Sequence, residues 1–228
     1  MVTRWFIVFA KPYVLPLAAF SLAFTQAILV LLLAYRAGLS PYALVLSSLV
    51  LSFVYQAVLA LLQCLVLNEL QIATIVFWMF GDLSRAGNAE LLVLFLGSVP
   101  IVVAYVLMHL DLDLLSLGDE VAYSSGVNPK KSRFIAIAVA ALGSALATSF
   151  VGVLAFLCLV APHVARAMVG GSHRYLLPAS MLVGSILTLL SDAVARTILL
   201  PRVLPVGVVL SFIGAPLLIT MLFRGAKQ

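Results

Sequence analysis

The chain has 228 residues, of which 64% are hydrophobic and only 9% charged, and it carries a formal net charge of +5. Water-soluble domains carry about 25% charged residues, so a surface this poor in charge must face lipid, and ordinary soluble folds are excluded. The bases sit in short gaps between apolar runs, not in an aromatic-interleaved patch, which points to a membrane topology signal and away from nucleic acid.

Runs free of Asp, Glu, Lys and Arg divide the chain at about 20 apolar residues per span. Met1–Ala10 does not read as a secretory signal, because Lys11 and Pro12 interrupt it and no small-residue cleavage site follows. Pro12–Tyr35 is long enough for one crossing. Arg36 and Gly38 end it, and a second runs from Pro41 to about Leu67, with proline tolerated in the first turn. Glu69–Glu90 mixes Phe77, Trp78 and Phe80 with Gly81, Asp82 and Arg85, which predicts a short interfacial helix and a loop. Leu91–Leu110 is a third span, followed by the most polar stretch, Asp111–Arg133.

Phe134–Ala165 has no charge. One straight helix of that length would measure roughly 48 Å against a ~30 Å core. Two short crossings fit better, broken near Phe150–Gly152, with Pro162 inside the second. Tyr175–Leu199, carrying Asp192, and Val203–Phe223, carrying Gly207, Gly214 and Pro216, complete the set. The expectation is an all-α polytopic membrane protein of about seven transmembrane helices, one domain over residues 1–228.

An odd number of crossings puts the termini on opposite sides. If Asp111–Arg133 is cytoplasmic, its side holds eight bases: Arg36, Lys130, Lys131, Arg133, Arg166, Arg174, Arg224 and Lys227. The other side holds five, Arg4, Lys11, Arg85, Arg196 and Arg202. The bias favours a multi-pass cell-membrane protein with a cytoplasmic C-terminus.

Within the polar stretch, Ser116-Leu117-Gly118-Asp119 has the spacing of a capping box, and Glu120 adds a second acid to the first turn. Gly126 suits a left-handed C-cap, and Pro129 can open the next helix. This predicts a short capped helix at Leu117–Ser125, either a plain connector or a docking element for a cytoplasmic subunit.

Asp192 is the one carboxylate well inside a crossing, and Arg196 lies four residues on along the same face, which suits an ion pair near the membrane edge. Ser48, Ser52 and Gln56 also recur every four residues, on a face that lines a wet pathway or bonds to a neighbouring helix. The small-residue stripe Ala136, Ala140, Ser144 and Thr148 predicts close helix packing. Pro162 with His163 reads as a kinked helix with a satisfied histidine. Cys64 and Cys158 read as packing residues.

No metal site is expected, because His109, His163 and His173 share no ligand spacing. No G-x-x-x-x-G-K-[ST] occurs, so the chain holds no nucleotide and is not itself an ATPase. The sequence also speaks against an intramembrane enzyme. H-E-x-x-H is absent, and Asp192 lacks the second carboxylate that aspartyl chemistry needs. An ion-coupled secondary transporter would need midplane charges, for which Asp192 and Arg196 give thin support.

Several ordered blocks carry a family resemblance. They are Phe77-Trp78-Met79-Phe80-Gly81-Asp82-Leu83, Leu114 through Ala122 with Ser125-Gly126-Val127, Phe150-Val151-Gly152, and Val160-Ala161-Pro162-His163-Val164-Ala165-Arg166. His173-Arg174-Tyr175-Leu176-Leu177-Pro178, Ser191-Asp192-Ala193-Val194-Ala195-Arg196, Leu204 through Val209 and Ile213-Gly214-Ala215-Pro216 continue the register. Over more than half its length the chain resembles the permease family that imports iron-siderophore complexes, haem and vitamin B12 by ATP-binding-cassette transport.

The resemblance implies a permease subunit, with ATP and Mg²⁺ held by a separate cytoplasmic ATPase present in two copies. It also implies an extracytoplasmic substrate-binding protein and a second permease copy, identical or not. Leu117, Gly118, Asp119, Glu120, Ala122, Gly126 and Val127 would form the element gripped by the ATPase, within a cytoplasmic coupling loop over 111–133. Arg196 would dock a carboxylate of the binding protein. Ser48, Ser52 and Gln56 would border the channel between permease copies, and Pro162, His163, Asp192, Gly207, Gly214 and Pro216 would be structural positions. Leu15–Phe20 resembles the fourth of the family's ten spans. The chain would then correspond to spans 4–10, as a short form, a piece of a split permease or a non-functional fragment.

Overall fold

The computed structural model describes residues 14–199 and 203–225. The reading of Met1–Ala10, and the bases Arg4, Lys11, Arg202 and Lys227, lie outside the described residues. Nine α-helices occur among the described residues: α1 Val14–Arg36, α2 Pro41–Leu65, α3 Glu69–Met79, α4 Asn88–Ser116, α5 Asp119–Ser124, α6 Pro129–Val151, α7 Leu157–Val169, α8 His173–Thr197 and α9 Val206–Gly225, with a 3₁₀ turn at Leu83–Arg85. Five of them, α1, α2, α4, α6 and α8, are long and apolar enough to cross a bilayer. The helix α7, with 13 residues, measures about 20 Å, and α9, with 20, about 30 Å. Helices stand where all seven crossings are expected, and the long uncharged run is broken between Val151 and Leu157.

Local chemistry sets the boundaries. At the end of α1, the Leu39 N–H donates to Ala34 O at 2.7 Å and the Gly38 N–H to Tyr35 O at 3.2 Å, closing a Schellman turn. Ser40 then caps α2, its hydroxyl accepting from the Ala43 N–H at 3.1 Å, with Pro41 opening the helix. Asn68 and Gln71 form the reciprocal capping box of α3: each side-chain oxygen accepts from the other's N–H at 3.0 Å.

The chain forms two compact units. The first comprises residues up to Thr74 together with Asn88–Phe150, and the second comprises Ile75–Gly87 together with Val151 onward. In the first unit, Leu31, Ala34 and Leu39 are buried against Leu44, Phe134, Ile137 and Ala138. Tyr35 meets Phe134 edge-on with ring centroids 5.8 Å apart. The helices α4 and α6 touch where Gly97 faces Leu146 and Gly143 faces Ile101, and the Tyr105 hydroxyl donates to Ala136 O at 3.0 Å. In the second unit, Ala195, Val206, Val209 and Leu210 form the core, covered by Leu83, Leu154, Leu157 and Leu204.

The structure corrects three sequence readings. Ser116 is not an N-cap. It is the last residue of α4, and its hydroxyl donates to Asp113 O at 2.7 Å. An N-cap needs non-helical backbone, whereas α4 runs on through Asp111–Ser116, so α5 starts later, with Gly118 at its cap and no side-chain capping bond. The tightly packed face of α6 lies beside the predicted small-residue stripe. Ser132, Ala145 and Ser149 are buried, whereas Ala140 and Ser144 are exposed and Ala136 and Thr148 only half-buried. Cys64 and Cys158 are exposed, facing outward from the chain instead of packing within it. His163 is exposed on α7.

Candidate functional site

The α4–α6 connection is braced at three points. The Arg133 guanidinium pairs with the Asp119 carboxylate, Nη2 to Oδ1, at 2.8 Å. The Ser132 hydroxyl donates to Asp111 Oδ2 at 2.9 Å, which ties the last turns of α4 to the start of α6. Asn128, whose Oδ1 accepts from the Lys131 N–H at 3.1 Å, caps α6 just before Pro129.

Between these braces α5 is a single short helix. Its Ala122 is fully buried. At its C-terminus the Val127 N–H donates to Ala122 O at 2.9 Å and the Gly126 N–H to Tyr123 O at 3.1 Å, with Gly126 at φ +87°. That is a complete Schellman motif, and glycine supplies the left-handed residue it needs. The outward face carries Leu117, Glu120, Val121 and Tyr123, all exposed, with Tyr123 74% exposed. Val127 is half-buried. A capped helical knob therefore presents apolar side chains beside the acids Asp119 and Glu120.

In the second unit, three irregular segments meet through their main chains. The Asp82 N–H donates to Val151 O at 2.8 Å, the Val206 N–H to Gly81 O at 3.1 Å and the Gly207 N–H to Phe80 O at 2.9 Å. The approach is so close that glycine is required. A Cβ on Gly152 would lie 2.5 Å from Trp78 O, one on Gly81 would lie 2.7 Å from Val153 O, and one on Gly207 would overlap Phe80 O. Gly214 likewise admits the Phe156 side chain, whose Cβ would sit 2.5 Å from an added methyl.

Next to this node, the Leu204 N–H donates to Ala195 O at 3.1 Å, which anchors the end of α8. Arg196 sits there. Its Nε donates to Asp192 Oδ2 at 2.8 Å, with the arginine side chain 45% exposed and the aspartate 22% exposed. In this pair the bond to Asp192 uses Nε, and an arginine carries further N–H donors on its two terminal nitrogens. A guanidinium can use those donors to take a second carboxylate bidentately.

Of the remaining candidates, Ser48 and Ser52 are half-buried and Gln56 is exposed, and the Ser48 hydroxyl donates to its own helix at Val45 O. Pro162 is half-buried inside α7 beside exposed His163. Pro216 lines a shallow apolar groove with Phe80, Val208, Ser211, Phe212 and Ala215. The structure thus brings Gly207 together with Gly81 and Gly152, a grouping sequence reasoning missed because close main-chain approach leaves no side-chain pattern. It also missed Arg133, the partner of Asp119. Asn128 was within reach, since an Asn followed by Pro is a helix-start signal.

The model of the FecCD transport family matches residues 1–224. An ABC transporter permease protein of Methanocaldococcus jannaschii is 37% identical over 218 residues, covering 96% of this chain and 62% of that protein. The Fe(3+)-citrate import system permease protein YfmE of Bacillus subtilis is 38% identical over 226 residues, covering 95% of this chain and 65% of the relative. The chain therefore spans less than two thirds of the length of either relative. A solved inward-facing structure of a metal-chelate type ABC transporter superposes with a TM-score of 0.78 at 26% identity, covering 93% of this chain and 75% of that one. On the match that runs through nearly all of its sequence, the chain belongs to the FecCD transport family.

Proposed function

We propose that this chain acts as the membrane-spanning permease subunit of an ATP-driven importer for metal chelates of the iron-citrate, siderophore, haem or cobalamin class. Family membership and the name of the citrate-importing relative support the substrate class. In this reading α5 is the handle gripped by a separate cytoplasmic ATPase. The observation that carries it is the braced knob itself. An exposed six-residue helix would fray alone, because helices this short are unstable in water. Here the Asp119–Arg133 pair, the Asp111–Ser132 bond and the Gly126 cap hold it rigid while Leu117 and Tyr123 stay uncovered. A rigid knob transmits a push, and exposed apolar side chains give a partner groove something to bury.

Near the C-terminal end of α8, Arg196 docks a carboxylate of the substrate-binding protein, presented by its bond to Asp192. Ser48, Ser52 and Gln56 border the pathway formed with a second permease copy. The C-terminus then lies in the cytoplasm.

The test is co-purification with the partner ATPase. Leu117→Asp and Tyr123→Ala should each lower the ATPase retained by at least ten-fold while leaving the permease monodisperse. Full retention by both variants would reject the handle.

A further inference from the structure

Charge is sorted by sign within the second unit. Its acids are Asp82 and Asp192, and no Asp or Glu occurs between Glu120 and Asp192. Both acids lie toward one end. Asp82 is tied to Val151, ahead of α7, and Asp192 pairs with Arg196 near the end of α8. At the opposite end the turn between α7 and α8 carries Arg166 and Arg174. Asp192 stands 18 residues along α8 from Arg174, about 27 Å away, more than three Debye lengths at physiological salt. Among the described residues neither arginine forms an ion pair. The unit supplies no countercharge for them.

The turn gathers these cations on an apolar skirt. Gly170, at φ +84°, ends α7, its N–H donating to Arg166 O at 3.0 Å. The Arg166 guanidinium lies back over the turn, with Nη1 3.8 Å from where a Cβ on Gly171 would stand. The Arg174 guanidinium carbon is 5.8 Å from the centre of the Tyr175 ring. Around these heads Met168 is 72% exposed and Tyr175 58%, with Val169 exposed as well. Basic heads above exposed apolar and aromatic side chains, at the ends of two apolar helices, match the layering of a lipid: phosphate outermost, hydrocarbon beneath.

We propose that the α7–α8 turn binds an anionic phospholipid, with its headgroup phosphate on Arg166 and Arg174 and its chains against Met168, Val169 and Tyr175. Two arginines with no acid near them in their own unit attract negative headgroups. The apolar skirt separates this from a free-phosphate site, for which exposed Met168 would serve no purpose. The site is independent of the handle and of Arg196.

Native mass spectrometry of the full chain in detergent tests it, with phosphatidylglycerol and phosphatidylcholine as probes. Wild type should retain phosphatidylglycerol over phosphatidylcholine. Neutralising one arginine should cut that preference about five-fold, and R166Q/R174Q about thirty-fold, while R166K/R174K keeps most of it. Equal retention of the two lipids by wild type, or an undiminished preference in R166Q/R174Q, would overturn the proposal. Complete displacement of phosphatidylglycerol by excess inorganic phosphate would mark a small-anion site instead. Loss of ATPase association with lipid preference intact would mark a protein contact, and either result overturns the lipid. If R166Q/R174Q does not fold, the wild-type titration decides. Its phosphatidylglycerol preference must weaken as salt is raised, and a salt-independent preference refutes the electrostatic basis.

Discussion

Gly152→Ala is the most informative single perturbation of the main-chain node. The added methyl would lie 2.5 Å from Trp78 O and 3.0 Å from Gly81 Cα, both backbone atoms, at a residue with φ +75°. Left-handed backbone costs an alanine roughly 1–2 kcal/mol. Relieving the clash must move main chain, which weakens the bonds from the Asp82 N–H to Val151 O and from the Gly207 N–H to Phe80 O. Each is worth about 0.5–1.5 kcal/mol net. Against this, removing glycine's freedom from the unfolded chain returns about 0.4–1 kcal/mol. The sum is a loss of roughly 2–4 kcal/mol. Gly126→Ala is the matched control. It has a similar backbone, φ +87°, but nothing lies within 4 Å of the added methyl, so only the conformational terms remain, roughly 0–1.5 kcal/mol net. Steric trapping in bicelles measures both at equilibrium. A gap of about 2 kcal/mol is near thirty-fold in the folded-to-unfolded ratio. Equal losses would show that the node yields without strain and would refute the close-approach argument.

Other consequences follow from the same geometry. Gly97→Ala should cost under about 1 kcal/mol, because the methyl meets the tip of a flexible Leu146 side chain, whereas Gly207→Ala meets main-chain oxygens and should cost several times more; the same trapping assay ranks them. A double-mutant cycle on Asp119→Asn and Arg133→Gln should give a coupling of only about 0.2–1 kcal/mol in stability, since the aspartate is 59% exposed, yet both single variants should lower ATPase stimulation by substrate. Arg196→Glu should weaken capture of the binding protein, more at low than at high salt, and unaltered capture at low salt in a pull-down would reject the docking role.

Which features were legible follows from where each one's physics resides. The break after Val151 could be read because a 32-residue uncharged run overshoots the bilayer by simple length. The turn at Gly126 could be read because a C-cap is decided by one residue and its helix. Ser116 was misread because Ser-x-x-Asp fits both an N-cap and a helical serine bonded back to residue i−3, and only backbone angles distinguish them. Arg133 was invisible as a partner because 14 residues and a reversal of the chain separate it from Asp119.

The node also links packing to function. Polypeptide in an apolar setting must pair its N–H and C=O groups, and irregular stretches survive only where protein surrounds them. Gly81, Gly152 and Gly207 are all buried, and the three segments satisfy one another through bonds that a helix would make internally. The same ladder continues from Gly81 O through the Val206 N–H to the Leu204 N–H on Ala195 O, the residue beside Arg196. A side chain forced in at Gly152 therefore acts on the arginine through four main-chain segments without touching it. Gly152→Ala should lower binding-protein capture in proportion to its loss of stability, whereas Arg196→Glu should lower capture with stability unchanged. If Gly152→Ala kept full capture while losing stability, the arginine would be held by Asp192 alone and the node would serve the fold only.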